Sequence, residues 1–130
     1  MRLWHYKLIG ALPKSQLLAQ WRELNSIFKK QDKHILINYV YDHPKEYLKV
    51  YADKVVDEMV RRGYKIKSFE NYDRYFVCCS CNCAENYPEH DDEYLTVCYW
   101  NLREKYKRGQ KDFTADDLER ITEIYKGVWL

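Results

Sequence analysis

The sequence predicts an all-α fold: one compact domain over residues 1–130, built of about four helices with a long cysteine-rich loop. Three observations carry this prediction. Apolar residues recur at helical spacing in four separate stretches, most of these stretches are bounded by residues suited to helix ends, and the one β-branched run has no second strand to pair with. A chain of 130 residues fits a single domain and is long enough to bury a real core.

The first helix runs from about Pro13 to Phe28. Leu17, Trp21, Leu24 and Phe28 fall at i, i+4, i+7 and i+11, the stripe a core-facing helix needs. Pro13 suits its start, because it lacks only an N–H that would be orphaned there anyway. Gln16, Gln20 and Glu23 form a second row with Ser15, Arg22 and Ser26 beside it, and Arg22 and Glu23 are expected to face away from the core. A polar bridge from Lys29 to Lys33 leads into the run His34 to Tyr41, a strand by propensity. An isolated strand is unstable, so this run is expected as a buried helical turn or an extended segment under the second helix, broken by Asp42-His43-Pro44. The second helix spans Lys45 to Arg62 on Leu48, Tyr51, Val55 and Met59, with Gly63 where a C′ glycine belongs. From Phe69 to Glu89 no helical period exists, which reads as a long connection. A third helix is expected from about Asp91 to Lys107 on Tyr94, Leu95, Cys98 and Leu102. The fourth starts at Thr114, whose hydroxyl can cap while Asp117 sits three residues on, and it carries Leu118, Ile121 and Tyr125.

A net charge of +2, from 22 basic and 20 acidic residues, excludes a polycation that would bind any nucleic acid indiscriminately. Local clusters must supply the field. Arg61, Arg62, Lys65 and Lys67 form one, and Lys105, Lys107, Arg108 and Lys111 another. Both lie at helix ends where the macrodipole favours cations, and on one face they would make a phosphate track. The 13 tyrosines suit either helix packing or surfaces that stack on a ligand. No run of 18 apolar residues exists to span a membrane, and Arg2, His5 and Lys7 interrupt the start where a signal peptide would be apolar. A cytoplasmic protein is expected. Five cysteines, an odd number, then imply reduced thiols. Cys78, Cys79, Cys81 and Cys83 could hold zinc or a soft metal, but no second separated pair accompanies them, and neither Cys98 nor His90 stands in a recognised ligand pattern. No metal site is assigned, and small buried side chains or redox-sensitive thiols remain the alternatives.

The opening segment, the run Leu17-Leu18-Ala19-Gln20-Trp21-Arg22-Glu23-Leu24, the stretch His34 to Lys67 ending in Arg61-Arg62-Gly63-Tyr64-Lys65-Ile66, and Pro88-Glu89-His90 followed by a helix occur in that order. Together they resemble the pyrimidine-dimer DNA glycosylase family, the endonuclease V type of ultraviolet-repair enzyme. The likeness runs through most of the chain and leaves the cysteine-rich segment unexplained. It implies a DNA glycosylase that is also an abasic-site lyase, works on damaged or modified pyrimidines in double-stranded DNA, acts as a monomer and needs no cofactor. In that family the amino-terminal α-amine is the nucleophile and a helical glutamate is essential, positions that match Met1 and Glu23 here. Arg22 matches an arginine that contacts phosphate and site. Arg2, Gln16, Lys30, Lys33, Arg61, Arg62, Lys65 and Lys126 are the expected DNA-binding residues, with Tyr125 and Trp129 of the tail either on the DNA or in the core.

General chemistry agrees with an α-amine in this role. An unperturbed α-amine titrates near 7.7–8.0 and lysine near 10.4, so at neutral pH an α-amine offers about two to three powers of ten more free base. A carboxylate beside it would stabilise positive charge on a sugar and shuttle protons. Some positions depart from the family pattern. Arg2 is bulky and should leave Met1 in place, which sets the amine one residue further from Glu23. Gln16 stands where the phage-type enzymes carry histidine, and the basic stretch after the first helix is shortened to Lys29, Lys30 and Lys33. Two other classes fit the same sequence: a non-catalytic nucleic-acid-binding module with a cysteine-rich metal site, and a helical interaction protein.

Overall fold

The computed structural model describes residues 1–77 and 84–129, and among these it contains five α-helices, two 3₁₀ helices and no strand. The α-helices are α1 (Lys14–Lys30), α2 (Lys45–Arg61), α3 (Glu70–Tyr75), α4 (Asp92–Lys107) and α5 (Ala115–Trp129); the 3₁₀ helices are Tyr6–Ala11 and Asn38–Asp42. Helix α1 packs on α2 and α3, while α4 packs on α5. The 3₁₀ helix Tyr6–Ala11 touches both α2 and α5, so the N-terminal segment joins the two helical groups. Its buried Leu3, Leu8 and Leu12 meet Leu17, Leu24 and Ile27 of α1, Leu48 and Val55 of α2, Leu95 and Leu102 of α4 and Ile121 of α5 in one core. Truncating any of these leucines to alanine would cost about 2–5 kcal/mol.

The ends of three of the four expected helices follow local chemistry. Gly63 at φ +81° lets α2 close with Gly63 N–H on the Val60 carbonyl and Tyr64 N–H on that of Met59, the paired bonds of a Schellman ending. Asp91 accepts the Tyr94 N–H and starts α4. At α5, Thr114 Oγ1 accepts from Asp117 N–H while Asp117 accepts from Thr114 N–H, a reciprocal capping box.

Three expectations change and one open alternative narrows. First, the connection after Phe69 contains α3, six residues whose Tyr72 and Tyr75, with Phe76, ring Phe28 of α1 at 5.2–5.9 Å between centroids. This helix is too short to show a period and forms through tertiary aromatic contact. Among the described residues the α-helix count is therefore five. Second, the run His34 to Tyr41 becomes a turn and the 3₁₀ helix Asn38–Asp42 and is only partly buried: Ile37 and Val40 enter the core, whereas Ile35 is 86% exposed and Leu36 37%. Third, of the two uses open to the 13 tyrosines, packing dominates: none is exposed, and most stack on other rings or bond backbone and side-chain groups. Fourth, Glu23 is only half-exposed and its neighbour Gln20 is wholly buried, so the second row of α1 does not face away from the core as a unit. Cys78, Cys79, Cys81 and Cys83 lie outside the described residues, and Cys98 is a buried free thiol.

Candidate active site

Residues Met1 to His5 form no regular secondary structure, yet several of their backbone groups find partners. Side chains do this work. The Gln20 amide donates to the Arg2 carbonyl (3.1 Å) and accepts the Trp4 N–H (2.8 Å). Tyr94 donates to the Leu3 carbonyl, and the single Tyr51 hydroxyl proton is shared between the Trp4 carbonyl at 2.6 Å and Gln20 Oε1 at 2.9 Å. Tyr6 N–H donates to His90 Nδ1, which leaves the ring proton on Nε2 for the Tyr39 hydroxyl at 2.7 Å. The chain start is thus clamped against α1, α2 and α4 in one register.

That register sets Met1 at a cavity of about 260 Å³, lined by Met1, Arg2, Trp4, Gln16, Glu23, Leu36, Asn101 and Lys105. Gln16 and Glu23 share this wall because α1 places them seven residues apart, about two turns. Burial raises the Glu23 carboxyl above its ordinary value. The terminal ammonium of Met1 is the strongest force in the other direction, followed by a contact with the Arg2 backbone and the charges of Arg22 and Lys105. Gln20 Nε2 also donates to Glu23 Oε2 at 3.1 Å. The extra residue at the chain start therefore does not carry Met1 away from Glu23.

The other expected site residues divide. Arg2 lines the cavity with its guanidinium 5.8 Å from the Tyr94 ring centre. Arg22 is exposed and lines a neighbouring groove of about 450 Å³ with Leu18, Trp21, Met59, Lys65 and Ile66. Lys30 and Lys33 are exposed at and just beyond the α1 end, and Lys126 is exposed on α5. Arg61 and Arg62 both grip Glu58, and Arg62 also donates to the Gly10 carbonyl at 3.2 Å. With its side chain 16% exposed, Arg62 ties α2 to the 3₁₀ helix Tyr6–Ala11. Of the tail, Trp129 is exposed, while Tyr125 stacks on Tyr99 at 4.2 Å.

Sequence reasoning missed Gln20, Tyr51, Tyr94 and Asn101, and it placed Lys105 in a basic cluster without connecting it to Glu23. For Gln20 a signal existed: Leu17, Gln20, Leu24 and Ile27 are themselves a core stripe at i, i+3, i+7 and i+10. Polar identity disguised it.

The fold and site define an all-α protein whose chain start and a half-buried acid open into one shared cavity. The model of the pyrimidine dimer DNA glycosylase family matches residues 1–71, more than half of the chain, and the chain belongs to that family. The matched stretch carries the N-terminal segment, α1, α2 and the beginning of α3. Membership assigns a glycosylase type of function on DNA with damaged pyrimidines. No curated protein and no solved structure matches. Among the described residues no helix is long and apolar enough to cross a membrane.

Proposed function

We propose that the protein is a DNA glycosylase with abasic-site lyase activity, that the Met1 α-amine is its nucleophile, and that Glu23 is its catalytic carboxylate. The single observation carrying this reading is the shared cavity in which the Met1 ammonium acts on the charge of Glu23. The free amine attacks C1′ of the damaged nucleotide, the bond from C1′ to the base breaks, and the base leaves with the bonding electrons and takes up a proton. Glu23 stabilises the positive sugar as this happens. The amine then loses a proton, and its lone pair forms the C=N bond as the C1′–O4′ bond breaks. O4′ takes up the proton as a hydroxyl, and a protonated imine joins Met1 to C1′. Glu23 takes up the C2′ proton, the 3′ phosphate departs by β-elimination, and water releases the sugar. The chemistry asks for no metal or organic cofactor.

Cations place the duplex. Arg2 and Lys105 flank the cavity and Arg22, Lys65 and Lys67 the adjacent groove, within reach of successive phosphates. The exposed Lys30, Lys33 and Lys126 add further phosphate contacts, whereas Arg61 and Arg62 are ion-paired with Glu58. The enzyme works as a monomer on double-stranded DNA. The test is strand cleavage on duplex DNA carrying a pyrimidine dimer or an abasic site. Cleavage should be lost when the terminus is acetylated, and cleavage at the normal rate by the acetylated protein would exclude Met1.

A further inference from the structure

Among the described residues, Gln20 is the one fully buried amide side chain that bonds both the chain start and Glu23. It is fully buried, and its amide has two N–H donors and one acceptor oxygen with two lone pairs. Both donors are used, on the Arg2 carbonyl and on Glu23 Oε2 at 3.1 Å each. The oxygen takes the Trp4 N–H at 2.8 Å and lies 2.9 Å from the Tyr51 hydroxyl, whose proton it shares with the Trp4 carbonyl. The amide orientation is fixed by this set, because a reversed amide would point its oxygen at a carbonyl and a carboxylate.

From this geometry we infer that Gln20 is a positioning residue that couples the register of the chain start to the ionised state of Glu23. The acceptor half of the amide reads Trp4 and one donor reads Arg2, so the segment cannot slide by a residue without orphaning a buried backbone group. The second donor holds Oε2 of Glu23 and favours the carboxylate over the acid in a site where burial opposes charge. Nucleophile and carboxylate therefore share one tether. This inference rests on the proposed use of Met1 and Glu23.

The variant Gln20→Glu separates the two functions. It keeps an acceptor for Trp4 and Tyr51 but removes both donors and sets a second carboxyl beside Glu23, so the acid limb of the cleavage profile should move to higher pH. Trapping of an abasic-site duplex by borohydride should fall by about a hundredfold or more at neutral pH, the scale of one lost stabilising donor, with affinity for the same duplex retained. A merely structural role would lower the melting temperature and leave the profile in place. Should Gln20→Glu fail to fold, Gln20→Met keeps the shape without the amide and is expected to show the same loss of trapping at retained binding. Wild-type protein that does not trap overturns the proposed function itself. Wild-type trapping with normal trapping and an unshifted profile in the folded variant overturns only the role of Gln20.

Discussion

Lowering the pH from 7 to 5 is expected to cost the fold about 2 kcal/mol through His90, a value that follows from proton linkage for one group. Burial is the main force on this imidazole, with the charge of His5 adding to it, and together they push it down to about 3 from an ordinary 6.5. The unfolded chain therefore binds a proton between those limits that the folded chain refuses. Stability is present in full above the ordinary value and is lost as pH falls below it, by about 1.4 kcal/mol per pH unit once the unfolded histidine is fully charged. The cause is local: His90 Nδ1 already accepts the Tyr6 N–H, so the added proton has no acceptor. His90→Gln removes the titration while keeping an acceptor and a donor. Denaturant unfolding at pH 7, 6 and 5 for both proteins measures the difference, and the wild type should lose about 2 kcal/mol more than the variant across this range. Parallel losses in the two proteins would refute the reasoning.

Other expectations follow from the same contacts. Glu23→Gln should abolish cleavage while retaining DNA binding, and because burial holds this carboxyl above its ordinary value, its removal should leave the melting temperature at pH 7 unchanged or higher. A clear drop would show that the charge is structurally required. Arg62→Ala should destabilise by about 1–3 kcal/mol through the lost bonds to Glu58 and Gly10, read by denaturant unfolding. Lys65→Ala, at an exposed position, should leave stability within about 0.5 kcal/mol and lower the salt dependence of duplex binding by about one counterion. Gly63→Ala meets nothing within 4 Å, yet φ +81° should still cost about 1 kcal/mol.

Those parts of the fold that local chemistry dictates were readable in the sequence. Gly63, Asp91 and the Thr114–Asp117 pair act within a few residues of themselves, so α2, α4 and α5 begin or end where these residues predict. Helix α3 was not readable, because Tyr72 and Tyr75 are held by Phe28, more than forty residues earlier. The run from His34 has the composition of a strand, but its backbone instead turns through a 3₁₀ helix that puts Val40 against α2. In the site, spacing placed Gln16 and Glu23 on one row, and only the family resemblance pointed from Glu23 to Met1. Gln20 was hidden because a glutamine on a polar row reads as solvated until its four partners are seen.

The central claim is that the Met1 amine and Glu23 act together on a sugar in one cavity. Borohydride reduction on an abasic-site duplex, followed by mass mapping of the adduct, tests it most directly, since Lys105 offers a competing amine at the same cavity. The account predicts a deoxyribose remnant on the α-nitrogen of Met1 and its loss in Glu23→Gln. An adduct mapped to Lys105, or none with an unblocked terminus, would contradict it.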